Sequence, residues 1–309
     1  VILQADVHHI PIADNSVDLV FCSPPYEAAR TYGIEFNLKG QQWVDWAVAG
    51  YLECLRVCRG LVAWVVEGQT RQFRWSATPA LLMADLHRAG VRLRKPPAFH
   101  RVGIPGSGGP DWLRNDYEFI VCAAKAPGRL PWSDNTAMGH PPKWAPGGEM
   151  SHRLSNGARV NQWGKSWNTA KSETDKEGNT SSARGQRPSH RLHTKRRVSV
   201  GGDVMELQSY LPPVRANPGN VIHCKVGGGK MGHKLAHKNE APFPEALAEF
   251  FIRSFCPPGG IVLDPFSGSG TTVAVAERFG RRFIAADLRM SQCELTCQRL
   301  SQKIMEQMA

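Results

Sequence analysis

The stretch "GIVLDPFSGSGTTVAVAERFGRRFIAADL" (260–288) narrows the fold of this 309-residue chain more than any other. An apolar run enters a turn carrying Gly268 and Gly270, a helix-like run follows, and "RFIAADL" returns as a strand ending in Asp287. Strand, loop, helix and strand in that order belong to a parallel sheet, because parallel strands need a crossover connection. Glycine lets the backbone approach a ligand and take positive φ. The helix start behind it offers N–H groups that have no intrahelical partner. Asp287 lies nineteen residues beyond Gly268, where dinucleotide-binding folds place a carboxylate for ribose hydroxyls. No G-K-[ST] triplet follows and the G-x-G-x-x-G spacing is incomplete, so the expected ligand is a nucleoside without a pyrophosphate.

A second strand ends abruptly. In "VDLVFCSPPYEAARTYG" (17–33), Val17, Leu19 and Phe21 alternate with Asp18, Val20 and Cys22, and two prolines then stop the run. Their φ is fixed and neither has an N–H. The outcome is a stiff loop presenting Ser23, the carbonyls of Pro24 and Pro25, and the Tyr26 ring at a strand's C-terminal edge. In open α/β sheets ligands bind at that edge.

The flanks continue the alternation. Trp43 to Cys58, Thr78 to Ala89 and Pro244 to Phe255 read as helices, and 60–68 and 117–125 as strands. This pattern predicts an α/β fold, a doubly wound and mostly parallel sheet with helices on both faces. Between the flanks the composition changes. Ser151 to Arg197 holds eleven Lys/Arg and three Asp/Glu, a surplus of eight in a chain whose net charge is +11. Trp132, Trp144, Trp163 and Trp167 are interleaved with the cations, and no strand or helix period is sustained. Cations mixed with aromatic and small polar groups suit a nucleic-acid surface, whereas solvated linkers are poor in aromatics. We therefore expect one domain from 1–126 and 221–309, interrupted by a nucleic-acid-binding region at 127–220, which the resemblance described below makes the catalytic domain and the DNA target-recognition region.

Composition excludes several classes. No run of eighteen apolar residues exists, so no membrane span is expected. The chain begins without Met inside a strand-like run, so a few residues are expected ahead of Val1, and no signal-peptide pattern is read there. The eight cysteines form no CxxC and read as reduced thiols of a cytoplasmic protein. His223, Cys224, His233 and His237 fit no standard finger spacing, so no metal is expected.

"SPPY" (23–26) and "DPFSGSGTT" (264–272) resemble the catalytic and cofactor motifs of the S-adenosylmethionine-dependent DNA amino-methyltransferases. The order of the motifs, with a recognition insert between them, resembles the β class of that family. "LQADVHHIPIADNSVDLVFC", "RNDYEFIVCAAK" and "NEAPFPEALAEFFIRSFCPPGGIV" are similar to further family segments, so the resemblance covers about two thirds of the chain. It implies a Rossmann-like methyltransferase fold with an irregular basic insertion. It also implies S-adenosyl-L-methionine as cofactor, held by Asp6 at the adenine, Asp287 at the ribose, and Asp264, Pro265, Phe266, Gly268, Ser269, Gly270 and Thr271 around the methionine. Phe243 and Pro244 would close over that side.

The implied substrate is duplex DNA in a bacterial or phage-infected cell. An exocyclic amine is a flat, poor nucleophile. Two acceptors, Ser23 Oγ and a motif carbonyl, most naturally that of Pro24, would draw its hydrogens and bring the lone pair forward. The base must leave the stack, and Tyr26 is placed to stack on it. Family members with Ser at the head of the motif resemble N4-cytosine enzymes and those with Asp N6-adenine enzymes. Cytosine N4 is therefore the expected target, and adenine N6 the alternative. Arg184, Arg187, Arg191, Lys195, Arg196 and Arg197 are expected on phosphates. The rivals from other classes are a non-catalytic DNA-binding protein on this scaffold and an RNA or protein methyltransferase. A homodimer and a cognate restriction enzyme are partners to be tested.

Overall fold

The structure is a computed structural model that describes residues 1–27, 36–103, 108–111, 113–141, 151–153, 159–161, 196–200, 203–207, 215–226, 232–239 and 241–308. The chain divides into two compact units, Val1–Met138 with Gly219–Ala309, and Gly139–Pro218. In the smaller unit the described residues form two short antiparallel ladders, Ser151–Arg153 with Arg159–Asn161 and Arg196–Val200 with Asp203–Leu207. The expectation of an insert without regular elements is corrected at these ladders. Strands of three to five residues are too short for their alternation to stand out in a sequence rich in Gly, Ser and Asn.

The larger unit is built on one sheet. Its strands in chain order are β1 (Ile2–Gln4), β2 (Val17–Cys22), β3 (Cys58–Val66), β4 (Leu93–Arg94), β5 (Ala98–Val102), β6 (Tyr117–Ala124), β7 (Val221–Lys225), β8 (Ile261–Asp264) and β9 (Arg282–Asp287). Their order across the sheet is β1-β9-β8-β2-β3-β6-β5-β7, with β4 also beside β6. Pairs from β1 to β3 are parallel, as is β5 with β7, whereas β6 runs antiparallel to β3, β4 and β5. The mostly parallel, Rossmann-like sheet is therefore present. The reversal at β6 is the feature that local alternation does not announce.

Among the described residues five α-helices cover it: α1 (Gly40–Val57), α2 (Thr78–Arg88), α3 (Glu245–Phe255), α4 (Thr271–Arg278) and α5 (Met290–Met308). Strand β2 shows the layering. Val20 and Cys22 pack with Trp43, Tyr51 and Leu82 of α1 and α2, and Leu19 and Phe21 pack with Leu247, Phe251 and Val275 of α3 and α4. Successive side chains of a strand point to opposite faces, so a strand covered on both faces is apolar along its length. Asp18 is the exception in β2 and is buried. Its carboxylate accepts from Arg59 Nε at 2.7 Å and from the Ile261 N–H at 2.9 Å. Burial pulls its pKa up, but these bonds overcome that and hold it below the usual aspartate value. Asp18 thereby fastens β2 to β8 across 243 positions of sequence. The two strands are parallel, so the loops after Cys22 and after Asp264 emerge side by side at one edge.

Candidate active site

The glycine loop is shaped from within. Asp264 accepts the Phe266 N–H at 3.0 Å, and the Gly268 N–H donates to Asp287 Oδ2 at 2.9 Å. Gly268 has φ +50° and Gly270 φ +75°, a region that penalises any Cβ. A Cβ on Gly268 would also sit 2.4 Å from Asn239 Nδ2, and one on Gly270 2.9 Å from Thr296 Cγ2. Burial pushes the Asp264 pKa up to about 7, against bonds from Thr272 and Phe266, with Asp287 adding repulsion. Behind the loop, Arg299 is 2% exposed. It donates to Ser269 O at 3.1 Å, Thr271 Oγ1 at 3.0 Å and Glu245 Oε1 at 2.5 Å. Arg278 binds the other oxygen of Glu245 at 2.6 Å.

The proline loop is held by its neighbours. Trp43 Nε1 donates to Pro25 O at 2.9 Å, and Glu27 Oε1 accepts the Gly40 N–H at the start of α1 at 2.7 Å. The Ser23 hydroxyl is 3.2 Å from Tyr26 Oη and 3.3 Å from Val65 O, both able to accept its hydrogen. Tyr26 Oη donates in turn to Glu118 Oε2 at 2.7 Å, and Glu118 Oε1 lies 3.0 Å from Arg101 Nη1. Burial raises the Glu118 pKa, which Arg101 and the Tyr26 bond only partly offset. Glu67, at the end of β3, is buried too; burial pushes its pKa up to about 7, against bonds from Gly68 N–H and Trp75, with Glu118 adding repulsion.

Both loops face one cavity of about 760 Å³, within the range of small-molecule sites. Asp6, Ser23, Pro24, Pro25, Tyr26, Phe243, Pro244, Pro265, Phe266, Gly268 and Asp287 all line it. Asp264, Ser269, Gly270 and Thr271, expected around the ligand, do not line it and instead shape the loop from behind. Asp6 is held by its own turn. Burial opposes ionisation, but the His8 N–H at 3.0 Å and His8 Nδ1 at 2.7 Å bring its pKa below the usual value. Arg184, Arg187, Arg191 and Lys195 lie outside the described residues, while Arg196 and Arg197 begin the second ladder of the smaller unit. Sequence reasoning missed Trp46, Arg101, Glu118 and Asn239 as cavity residues. For Glu118 a signal existed, its place in the "RNDYEFIVCAAK" segment. The other three carry none, since α1, β5 and the turn before α3 meet only in the fold.

Fold and site together define an α/β protein with a cavity of small-molecule size between two motif loops. The model of the N6/N4 DNA methylase family matches residues 17–298, and the chain belongs to that family. Over 71 residues it is 41% identical to the orphan methyltransferase M.BamHII of Bacillus amyloliquefaciens, a stretch that spans 23% of this chain and 27% of that relative. Among solved structures, the cytosine-N4-specific PvuII DNA methyltransferase superposes with a TM-score of 0.60 at 16% identity, covering 96% of this chain and 84% of that one. TTHA0409 of Thermus thermophilus, solved in complex with S-adenosyl-L-methionine, does so with a TM-score of 0.53 at 19% identity, covering 97% and 93%. Likeness at such identities is likeness of fold.

Proposed function

We propose that this chain is an S-adenosyl-L-methionine-dependent DNA methyltransferase acting on the N4 amine of a cytosine flipped out of duplex DNA. The observation that carries the reading is the state of Ser23. Its hydrogen has acceptors inside the protein, Tyr26 Oη and Val65 O, so its lone pairs are left for the cavity that it shares with Gly268 and Asp287. A hydroxyl whose own hydrogen is engaged acts as an acceptor, which is what an amine nucleophile needs. Pro25 O already receives Trp43 Nε1, which favours Pro24 O as the second acceptor. The pair would turn the amine lone pair toward the methyl donor, with the proton leaving after transfer.

The cofactor fits the residues present. The bare Gly268, against which Asn239 leaves no space for a side chain, gives backbone access. Asp287 would accept ribose hydroxyls and Asp6 the adenine amine. Pro265 and Phe266 would bound the nucleoside, and Phe243 and Pro244 the methionine side. The cofactor would supply an electrophilic methyl group. Phe266 also joins an aromatic wall, its ring centroid 5.9 Å from Trp46 and 5.4 Å from Trp64.

Residues 127–220 are proposed to recognise the target, with Arg184, Arg187, Arg191, Lys195, Arg196 and Arg197 on phosphates. No described helix is long and apolar enough to cross a membrane, and a cytoplasmic site of action is part of the proposal. The choice of cytosine rests on Ser23 heading its motif, as in the N4 enzymes that this segment resembles, and the PvuII neighbour is described as N4-specific.

The test is mass spectrometry of nucleosides from mixed-sequence duplex DNA incubated with the chain and S-adenosyl-L-methionine, beside Ser23→Ala. 4-Methylcytosine that is absent from the Ser23→Ala sample is the expected result. 6-Methyladenine would overturn the base and keep the reaction. No methylated base, with DNA still bound, would favour the non-catalytic reading.

A further inference from the structure

The segment between β3 and α2 takes no part in the reaction proposed above, and it is built unusually. Thr70–Arg71 and Arg74–Trp75 pair as an antiparallel hairpin. Its two turn residues, Gln72 and Phe73, have φ of +48° and +61°. Two-residue hairpin turns of that hand ordinarily use Asn-Gly, because larger side chains are strained there. Here a phenylalanine holds the tip and is 70% exposed. Arg71 and Arg74, on either side, are exposed as well. The exposed ring thus stands in a strained turn between two cations, and Arg71 Nε donates to Gln69 Oε1 at 3.1 Å.

The root of the hairpin is rigid and belongs to the cavity wall. Gln69 lines the cavity. The Ser76 N–H donates to Gln69 O at 2.8 Å, and the Gln69 N–H to Ser76 Oγ at 2.9 Å. Trp75 Nε1 donates to Glu67 Oε1 at 3.3 Å, and its ring centroid lies 6.1 Å from that of Phe119. Gly68 is packed so closely that a Cβ would come within 2.5 Å of Trp75 Nε1. The hairpin is thus fixed at the end of the cavity that holds Ser23, Tyr26, Arg101 and Glu118.

We propose that Phe73 is a wedge that enters the base stack of duplex DNA where the target nucleotide leaves it, with Arg71 and Arg74 on the adjoining phosphates. The proposal rests on the reading of the chain as a DNA methyltransferase. Extruding a nucleotide costs unpairing and unstacking and leaves a gap bounded by two apolar base faces. Proteins that open or kink a duplex fill such steps with apolar side chains, phenylalanine among them. An exposed ring on a rigid hairpin beside the pocket for the extruded base matches that gap, and guanidinium groups on either side match the phosphates bordering it.

The test compares two substrates. The methylated site is first mapped with the unaltered chain; failure to methylate any duplex overturns the functional reading, and the wedge with it. Phe73→Gly is then assayed on the intact duplex and on the same duplex with an abasic site opposite the target nucleotide. Glycine is favoured at this φ, so the hairpin is kept. We expect kcat/KM to fall at least tenfold on the intact duplex and to stay within threefold of the unaltered chain on the abasic one, where the pair is already open. Phe73→Trp should stay within threefold on both. An equal loss on the two substrates, as a purely structural role would give, overturns the wedge. So does an unchanged rate on the intact duplex, which would instead make Phe73 a contact for some other partner.

Discussion

The two loops at the mouth of the cavity are made rigid by opposite means. The loop after β2 is stiff in itself: Pro24 and Pro25 fix the backbone, and Trp43 and Glu27 hold what remains. The loop after β8 is intrinsically loose, with glycines at 268 and 270, and owes its shape to groups outside it. Asp264, Asp287, Thr296 and Arg299 each bind its backbone or side chains. The difference follows from what each loop is proposed to hold. A carbonyl and a hydroxyl aimed at one amine need fixed angles. A nucleoside pressed against the main chain needs a surface without side chains.

If that contrast is right, damage behind the glycine loop should matter most for stability. Arg299→Met would leave Glu245 with Arg278 and the His233 N–H and free the Ser269 carbonyl. We expect a loss of about 3 kcal/mol, the cost of breaking a buried pair on one side, read as a lower denaturant midpoint. Next comes Ser23→Ala, which should lower kcat by about 10²-fold or more while the Kd for S-adenosyl-L-methionine, measured by calorimetry, stays unchanged. Gly268→Ala should do the reverse. The strained φ and the contact with Asn239 predict cofactor affinity reduced about thirtyfold, roughly 2 kcal/mol, with the loss carried by Kd. Equal effects of the last two variants on binding would erase the division of labour between the loops.

The smallest effect concerns pH. Glu67 is buried with its pKa pushed up to about 7. The folded state therefore holds a proton that the unfolded chain has released, so stability falls as pH rises from the ordinary glutamate range through 7. Glu67→Gln should flatten the decline of the unfolding free energy between pH 5 and 8, by about 2 kcal/mol. An unaltered slope would place the decline on Asp264, raised to about 7 by the same cause.

How far the sequence could be read follows the same physics. Strand β2 and the unit from β8 to β9 were legible because their punctuation is local: two prolines, two glycines and apolar runs of strand length. Helices α1, α2 and α3 were read to within a few residues. The pairing of Arg101 with Glu118 was not legible. It depends on β6 running antiparallel to β3 and β5, and nothing in the local sequence marks that turn of direction. Arg299 is equally hidden. A basic residue on an amphipathic helix reads as solvent-facing, and only the docking of α5 behind the glycine loop puts it out of water. The basic region 127–220 was legible as composition, and its side chains fall largely outside the described residues.

The pairing of β2 with β8 has a consequence for how the chain acquires its shape. Leu19 and Val20 sit against Val262 and Leu263, so the central strand of the sheet waits for a neighbour from near the far end of the chain. Contacts of such separation fold slowly, because a long loop must close before they contribute. During synthesis the N-terminal part emerges first, with the edge of β2 uncovered and the proline loop already made. The glycine loop and Asp287 come more than 200 residues later in the sequence. The cavity is therefore complete only once both loops are present, and a chain cut between them would expose the apolar edge of β2 beside half a cavity.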